Sequence, residues 1–229
     1  MIMKQTMMKW CGIVTTVCLM RGVGVAEPAV ALNEVKVTTD KSVDTSSRET
    51  IVRDLCKPGM TDEQKAIALF DWFERSVYHR PTPSDVNWNQ HKVINVYGGV
   101  VCGTQGSGMA DLCRAAGFEA RVTCDAGGGH TYYDVKYSGK WHGFDTMTRF
   151  YVYTRGEPRE IASFDAIDAD PSLVRDAVKE NRACPSFQFH GDDPMGFVTT
   201  KHRILEYPPT SIPGLGNLSL VPGERITWY

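Results

Sequence analysis

The sequence predicts an α+β fold in which a glycine-rich helix packs on an antiparallel sheet. Residues 103–116 carry apolar side chains at helical spacing, and Gly117 follows them with the freedom to adopt the left-handed conformation that ends a helix. Residues 130–145 hold two aromatic and β-branched runs around Ser138-Gly139, the pattern of a tight β-hairpin. Residues 119–124 and 149–154 have the composition of further strands.

Two helices are predicted ahead of this core. Ser46 and Glu49 form a capping-box pattern before the first, and Thr61 and Gln64 form one before the second. The second helix has an apolar face that we assign to the core and to no cofactor: Ala66, Phe70, Phe73 and Val77. Near its end, His79 and the later His91 are expected to be loop or surface histidines.

Cys102 stands at the N-terminal end of the predicted glycine-rich helix. Unpaired N–H groups and the helix dipole favour an anion at that end, so a thiolate there should have a lowered pKa. The alternative is a buried, inert cysteine, which is the usual state of this residue.

His130 follows three glycines, and Asp145 comes fifteen residues later, across the predicted hairpin. If Ser138-Gly139 is the loop, Tyr132 pairs with Asp145. Because side chains alternate between the faces of a sheet, His130 and Asp145 then share a face as diagonal neighbours. The carboxylate would fix the tautomer of the imidazole and stabilise its protonated form. The alternative is a hairpin with a surface histidine and a strand-end aspartate.

Residues 65–153 resemble the core of the transglutaminase-like superfamily, which has a papain-like fold. The resemblance rests on motifs in order: Cys102 at a helix start, residues 114–121, Gly129-His130, Gly139-Lys-Trp141 and Asp145. Within the superfamily, the chain most resembles secreted bacterial members. It implies that Cys102 is a nucleophile, His130 its base and Asp145 the orienting acid.

The resemblance also implies an oxyanion hole built from the cysteine's own N–H and an upstream donor. Trp88 and Gln90 are candidates for that donor or for the cleft wall, Gln105 is a weaker one, and no motif decides among them. The sequence departs from the family pattern at Gly103, where animal members have tryptophan, and at Thr131-Tyr132, where Ala-Trp is usual.

Residues 1–31 have the layout of a signal peptide cleaved after Ala26 or Ala31. We therefore expect a secreted protein, or one of the periplasm or cell envelope. The apolar run is too short to span a bilayer, so no membrane span is expected in the mature chain. The mature chain divides into an N-terminal extension (32–60), a core (61–170) and a loop-rich C-terminal extension (171–229). That extension ends in what we expect is a truncated β segment.

Five cysteines remain after the leader: Cys56, Cys102, Cys113, Cys124 and Cys184. One nucleophile and two disulfides among the other four would fit this count, with three pairings open. The formal net charge of −2 argues against a nucleic-acid partner. Asp165, Asp168 and Asp170 fit no calcium-loop spacing, and a solvated acidic turn is favoured over a calcium site.

The leading hypothesis is an exported, cofactor-free and metal-free thiol enzyme that acts on an amide of a protein or peptide of the cell envelope. It would be an acyltransferase or a peptidase or amidase. A second hypothesis is a catalytically inactive module that binds peptide or glycan. A third is a metal hydrolase that uses His130, His142 and Asp145, but strand parity directs His142 away from Asp145.

Overall fold

A computed structural model describes residues 41–81, 90, 93–185 and 202–205. Its main sheet is antiparallel, with four strands in the order β5-β4-β3-β6. The strands are β3 (Glu119–Asp125), β4 (Thr131–Tyr137), β5 (Lys140–Phe144) and β6 (His202–Leu205). A parallel pair joins β1 (Tyr78–His79) to β2 (Gly99–Val100). The predicted α+β class is confirmed.

The helices of the described residues are α1 (Arg48–Leu55), α2 (Asp62–Ser76), α3 (Cys102–Ala115), α4 (Phe164–Ala169) and α5 (Ser172–Arg175). A single π-helical turn, Val93–Tyr97, precedes β2. The predicted glycine-rich helix is α3, displaced by one residue at each end. Gly117 follows it with φ +91°, as predicted.

The capping box of α2 is the predicted one. The side chain of Thr61 accepts from the Gln64 N–H at 3.2 Å, and Gln64 Oε1 accepts from the Thr61 N–H at 2.9 Å. The box predicted for α1 is wrong by one residue, because its N-cap is Ser47, which exchanges bonds with Thr50. Asp44 accepts from the Ser46 N–H at 3.0 Å and so holds Ser46 outside the helix.

One face of the sheet forms the larger core with α2 and α3. The predicted apolar face of α2 is buried there, and Phe70 has its ring 5.7 Å from that of Phe144 and 5.4 Å from that of Tyr151. Burying one such side chain is worth about 1.5–3 kcal/mol. From α3 come Met109, Leu112 and Cys113, and from the sheet Val122, Tyr133 and Val135. The helix that carries Cys102 is thus fixed along its length.

The hairpin between β4 and β5 has the predicted loop and register. Ser138 and Gly139 both have positive φ, 50° and 75°, as a type I′ turn requires, and Tyr137 pairs with Lys140. The ladder ends at the pair of Tyr133 and Phe144. Asp145 comes next, as predicted, but its main chain pairs with Phe150 instead of Tyr132.

The opposite face of the sheet is covered by residues that follow the hairpin. A second core joins Tyr132 on β4 to Phe150, Phe164, Ile167 and Val174. Residues 149–154, predicted as a strand, make only isolated bridges, to Asp145, Ala183 and Ile161. Of the helix predicted over 171–181, only α5 forms.

The acidic stretch at 165–170, expected to be a turn, largely belongs to helix α4. Its carboxylates are paired with three separate side chains, those of two arginines and one histidine. Asp165 binds Arg121 at 3.0 Å, Asp168 binds His202, and Asp170 binds Arg155 at 2.8 Å. Carboxylates used in this way do not converge on a calcium ion.

Strand β6 was not predicted, and it pairs with β3 at one edge of the sheet. The predicted leader at 1–31, Trp88, His91 and the end of the C-terminal extension lie outside the described residues. In the described part of the chain, no helix combines the length and apolar character that crossing a bilayer needs. The proposed domain limits stay a prediction.

Candidate active site

Cys102 is the first residue of α3 and is partly exposed. Val101 is the N-cap and gives no side-chain cap; its carbonyl accepts from the N–H groups of Thr104 and Gln105, each at 3.1 Å. The helix supplies no acceptor for the N–H groups of Cys102 and Gly103. These N–H groups are therefore available to bind an anion at the thiol.

Gly106 lets α3 approach β4 closely, one turn after Cys102. A Cβ at this position would lie 3.0 Å from the Tyr132 carbonyl oxygen and 3.1 Å from a methyl carbon of Thr131. A side chain here would push the helix off the strand. The glycine content that lowers helix propensity thus serves to bring Cys102 beside the start of β4.

His130 is held by the loop that joins β3 to β4. The Asp125 carboxylate accepts from the Gly129 N–H at 2.7 Å, and the Asp125 N–H donates to the His130 carbonyl at 3.1 Å. Asp125 itself is buried. Hydrogen bonds of Asp125 therefore hold together the loop that contains the three glycines before His130.

His130 and Asp145 meet as the diagonal arrangement predicted. His130 Nε2 donates to Asp145 Oδ2 at 2.8 Å, and each side chain is 1% exposed. Asp145 also accepts from the Met147 N–H at 2.8 Å and from the Thr148 hydroxyl. The bond through Nε2 leaves Nδ1 as the ring nitrogen for the thiol. Sequence reasoning missed Thr148, although its position three residues after an aspartate is typical of a local turn contact.

The Cys102 thiol and the His130 imidazole each shift the pKa of the other. A hydrogen bond with His130 lowers the pKa of Cys102, and N–H groups of Thr131 and Gly103 act in the same direction against the effect of burial. Burial on its own would lower the pKa of His130. The charge and hydrogen bond of Asp145, together with Cys102, outweigh it and raise that pKa to about 10. These opposite shifts favour a thiolate–imidazolium pair at neutral pH.

Two further residues belong to the surroundings of His130, of which strand alternation predicts Tyr132 on the same face and nothing local predicts His79. The ring of Tyr132 meets that of His130 edge-on, with 4.5 Å between the centroids. His79 is exposed, as expected of a surface histidine, yet lies on β1 within electrostatic range of the pair. Burial and the charge of His130 lower its pKa, and Asp145 opposes them. The pairing of β1 with β2 puts His79 there, and that pairing joins distant residues.

Gln90 and Gln105, the candidate oxyanion or cleft residues that the structure describes, are both buried. Gln90 Nε2 donates to Asp111 at 3.2 Å, and Gln105 Nε2 donates to the Val77 carbonyl at 3.2 Å. These bonds connect α3 to Gln90 and to the end of α2. Each bond uses one of the two side-chain amide hydrogens of the glutamine that donates it. The oxyanion role of either residue, and that of Trp88, stays a prediction.

All five cysteines of the described residues are free thiols, so the suggested pair of disulfides is not present. Cys113 is fully buried in the helical core, and burial raises its pKa well above the usual range. Cys124 accepts from Arg203 Nε at 3.1 Å, and Cys184 donates to the Arg149 carbonyl at 3.1 Å. Separate environments of this kind explain why the cysteine count was a poor guide to pairing.

The metal-hydrolase alternative gains no support from the described residues. His142 is buried with Nδ1 2.7 Å from the Ile161 carbonyl, and its ring stacks on Tyr137 at 3.6 Å, away from Asp145. Strand parity predicted this orientation. Within the residues described, no group of three or more histidine, cysteine, aspartate or glutamate side chains is arranged to hold a metal ion.

Comparison with known proteins gives one family match. Residues 49–146 match the model of the transglutaminase-like superfamily. No curated protein sequence matches the chain.

Several solved structures are similar to parts of the chain, among them the following three. One is a candidate protease from Parabacteroides distasonis, at 13% identity over 42% of this chain and 22% of that one, with a TM-score of 0.36. One is a TGase, at 15% identity over 50% of this chain and 34% of that one, with a TM-score of 0.36. The third is a candidate cysteine protease from Cytophaga hutchinsonii, at 16% identity over 79% of this chain and 53% of that one, with a TM-score of 0.37. The chain thus spans 22% to 53% of these proteins.

Proposed function

The core of this chain, residues 49–146, belongs to the transglutaminase-like superfamily, and from that premise we propose that the protein is a cysteine-dependent acyltransferase or amidase. Cys102 is the nucleophile, His130 the general base and acid, and Asp145 the residue that orients His130. The observation that carries the proposal is the buried His130–Asp145 bond of 2.8 Å beside a thiol of lowered pKa. Burial of this pair strengthens its mutual polarisation.

In the proposed reaction, the Cys102 thiolate attacks the carbonyl carbon of an amide. The carbonyl electron pair moves to oxygen, and the N–H of Cys102, free of a helical acceptor, donates to the oxyanion. The tetrahedral intermediate collapses as the C–N bond breaks, and His130 Nδ1 gives its proton to the leaving amine. A thioester on Cys102 remains.

A second nucleophile releases the acyl group. His130, now neutral, takes a proton from water or from an amine as that molecule attacks the thioester, and the Cys102 thiolate leaves. Water gives hydrolysis and an amine gives transfer. The substrate class we propose is a protein or peptide, in keeping with the family, and its site of action is the cell envelope.

The test of the nucleophile is the pH dependence of iodoacetamide labelling at Cys102, with and without His130→Ala. Cys102 and Cys113 fall on one tryptic peptide, so fragment ions must separate them, and the buried Cys113 is the internal control. We expect Cys102 to label with a midpoint well below the ~8.5 of a free thiol. The substitution should raise that midpoint and slow labelling at pH 6 about 100-fold. A midpoint indifferent to His130 would instead favour an inactive module that binds peptide or glycan.

The acyl acceptor is tested by incubating the protein with casein and a fluorescent primary amine, with Cys102→Ala as the control. Fluorescence fixed to casein identifies transfer, and new casein fragments or released ammonia identify hydrolysis. If neither exceeds the level of the control variant, the proposed activity on protein amides is wrong.

Export is tested by expressing the full chain in a bacterium with an outer membrane and sequencing the N-terminus of the protein found in the periplasm. Cleavage at the proposed sites would leave Glu27 or Leu32 as the first residue. A protein that stays in the cytoplasm and begins at the initiator residues would contradict the proposal.

A further inference from the structure

The structure contains a second pair of histidine and aspartate, partly buried and formed by residues that are 34 positions apart. His202 lies on β6 and Asp168 on α4. Asp168 accepts twice from His202: Oδ1 from the ring Nδ1–H, and Oδ2 from the main-chain N–H at 2.8 Å. The His202 side chain is 2% exposed. The carboxylate therefore fixes both the strand and the orientation of the ring.

A row of ring contacts leads from this pair to the active site. The His202 centroid lies 5.2 Å from that of Tyr132 and 4.7 Å from that of Phe164. Tyr132 in turn lies 4.6 Å from Phe164 and meets the ring of His130 at 4.5 Å. Tyr132 is fully buried, so it cannot move without displacing its neighbours on both sides.

The choice of histidine at position 202 has a cost. Its Nε2 is buried and has no hydrogen-bond partner among the described residues. A buried polar atom without a partner is unfavourable and calls for an explanation. Phenylalanine would fill the same space without that cost, so what histidine adds is the bond to Asp168, which holds the ring against Tyr132.

We propose that His202 is a positioning residue for His130, held by Asp168 and acting through Tyr132. The proposal rests on the proposed function of His130. One edge of the His130 ring is held by the hydrogen bond to Asp145, and Tyr132 supports the ring from the side. Without His202, Tyr132 gains room to turn, and Nδ1 of His130 is less well placed on the Cys102 thiol.

The proposal extends the active site beyond the family core, because Asp168 and His202 both lie outside residues 49–146. Replacing His202 leaves in place the groups whose charges act on His130. Asp145, Cys102 and His79 act on His130 whatever stands at position 202. A change in the reactivity of Cys102 on that replacement would therefore be transmitted by packing.

The experiment is the pH profile of Cys102 alkylation in the full chain carrying His202→Ala. The matched control is Ile204→Ala, on the same strand but 55% exposed and outside the row of rings. We expect His202→Ala to slow alkylation at pH 6 about tenfold and to move the midpoint to higher pH. Ile204→Ala should leave the profile unchanged. An unchanged profile in folded His202→Ala would overturn the inference, and so would an equal change in the control.

Two further variants keep the test decisive. His202→Phe retains a ring against Tyr132, so its Cys102 should be alkylated at a rate between those of wild type and His202→Ala. A rate as low as that of His202→Ala would show that the ring contact does not transmit the effect of residue 202 to His130. If His202→Ala does not fold, Asp168→Asn takes its place, with an expected loss of about threefold. An unchanged profile in Asp168→Asn would then overturn the inference.

His130→Ala separates this inference from the proposed function. If His130→Ala leaves the Cys102 profile unchanged, the proposed function fails first, and the positioning role fails with it. If His130→Ala changes the profile and the substitutions at 202 and 168 do not, only the positioning role is wrong.

Discussion

The two histidine–aspartate pairs in the described part of the chain differ in the burial of the aspartate and in their surroundings. His130 and Asp145 lie beside the partly exposed thiol of Cys102 and the N–H groups at the start of α3. The His202 ring is bonded to the 22% exposed Asp168 and contacts the rings of Tyr132 and Phe164, and its Nε2 has no hydrogen-bond partner among the described residues. Each histidine is at most 2% exposed.

The difference shows what a histidine–aspartate pair needs for chemistry. Burial and a carboxylate orient an imidazole in both places, but only one imidazole has a nucleophile at its second nitrogen. Proton transfer requires that hydrogen-bond reach, whatever the pKa. The first pair can therefore act on a substrate, whereas the second can act only on the packing around Tyr132.

The comparison is tested most strongly by removing the charge of each pair in turn. The Asp145 charge holds His130 protonated, and the imidazolium lowers the pKa of Cys102. Asp145→Asn should therefore slow Cys102 alkylation at pH 6 by about 30-fold, against the about threefold loss expected for Asp168→Asn. Equal losses in the two variants would mean that the pairs do not differ as described. Circular dichroism of both variants controls for the fold.

Gly106→Ala tests the contact that brings the thiol to the first pair. A Cβ 3.0 Å from the Tyr132 carbonyl should lower the free energy of unfolding by about 1–3 kcal/mol, even though alanine favours the helix. Gly103→Ala is the control on the same helix, because its nearest neighbour, a hydroxyl of Thr131, is 4.0 Å away. Urea unfolding measures both. A Gly106→Ala protein as stable as Gly103→Ala would show that the close approach is not required.

The titration of the His130 ring sharpens the electrostatic side of the comparison. Its pKa of about 10 lies above the ordinary 6.5, so the ring should stay protonated across neutral pH and lose its proton only near pH 10. Asp145→Asn removes the negative charge and should move the titration to lower pH. NMR of the ring C–H protons reads this directly, with His130→Ala used to assign the resonance. A wild-type ring that titrates near 6.5 would contradict the ion pair.

The smallest effect expected is that of Thr148, whose hydroxyl donates to Asp145. Thr148→Val keeps the shape of the side chain and removes the donor, so Asp145 loses one of its contacts. We expect about a threefold slower alkylation of Cys102 at pH 6. Thr148→Ser, which retains the hydroxyl, should match the wild type. A valine variant that labels at the wild-type rate would show that the Met147 N–H suffices to hold the carboxylate.

The sequence alone predicted the elements that depend on local rules. The helix at Cys102 and the cap of α2 follow from spacing and capping chemistry, and the hairpin follows from the positive φ that Ser138-Gly139 can adopt. That hairpin fixes the register of two strands. The register in turn predicts that His130 and Asp145 lie on one face of the sheet.

Local rules failed where contacts between distant residues decide the structure. Residues 165–170 look like an acidic turn, yet α4 forms there because Phe164 and Ile167 pack into the second core and the carboxylates bind the side chains of distant residues. Strand β6 is four residues long and exists through its pairing with β3. The cysteine count suggested disulfides that the structure does not contain, because a count of residues says nothing about the distances between their thiols.

The sequence by itself thus determined the α+β class, the helix that carries the thiol and the hairpin that joins His130 to Asp145. These features follow from periodicity, turn chemistry and strand alternation, all of which act over a few residues. Only the tertiary structure decided that His79 and the pair of His202 and Asp168 lie near the site. Their positions follow from pairing and packing between segments far apart in the chain, which no local pattern encodes.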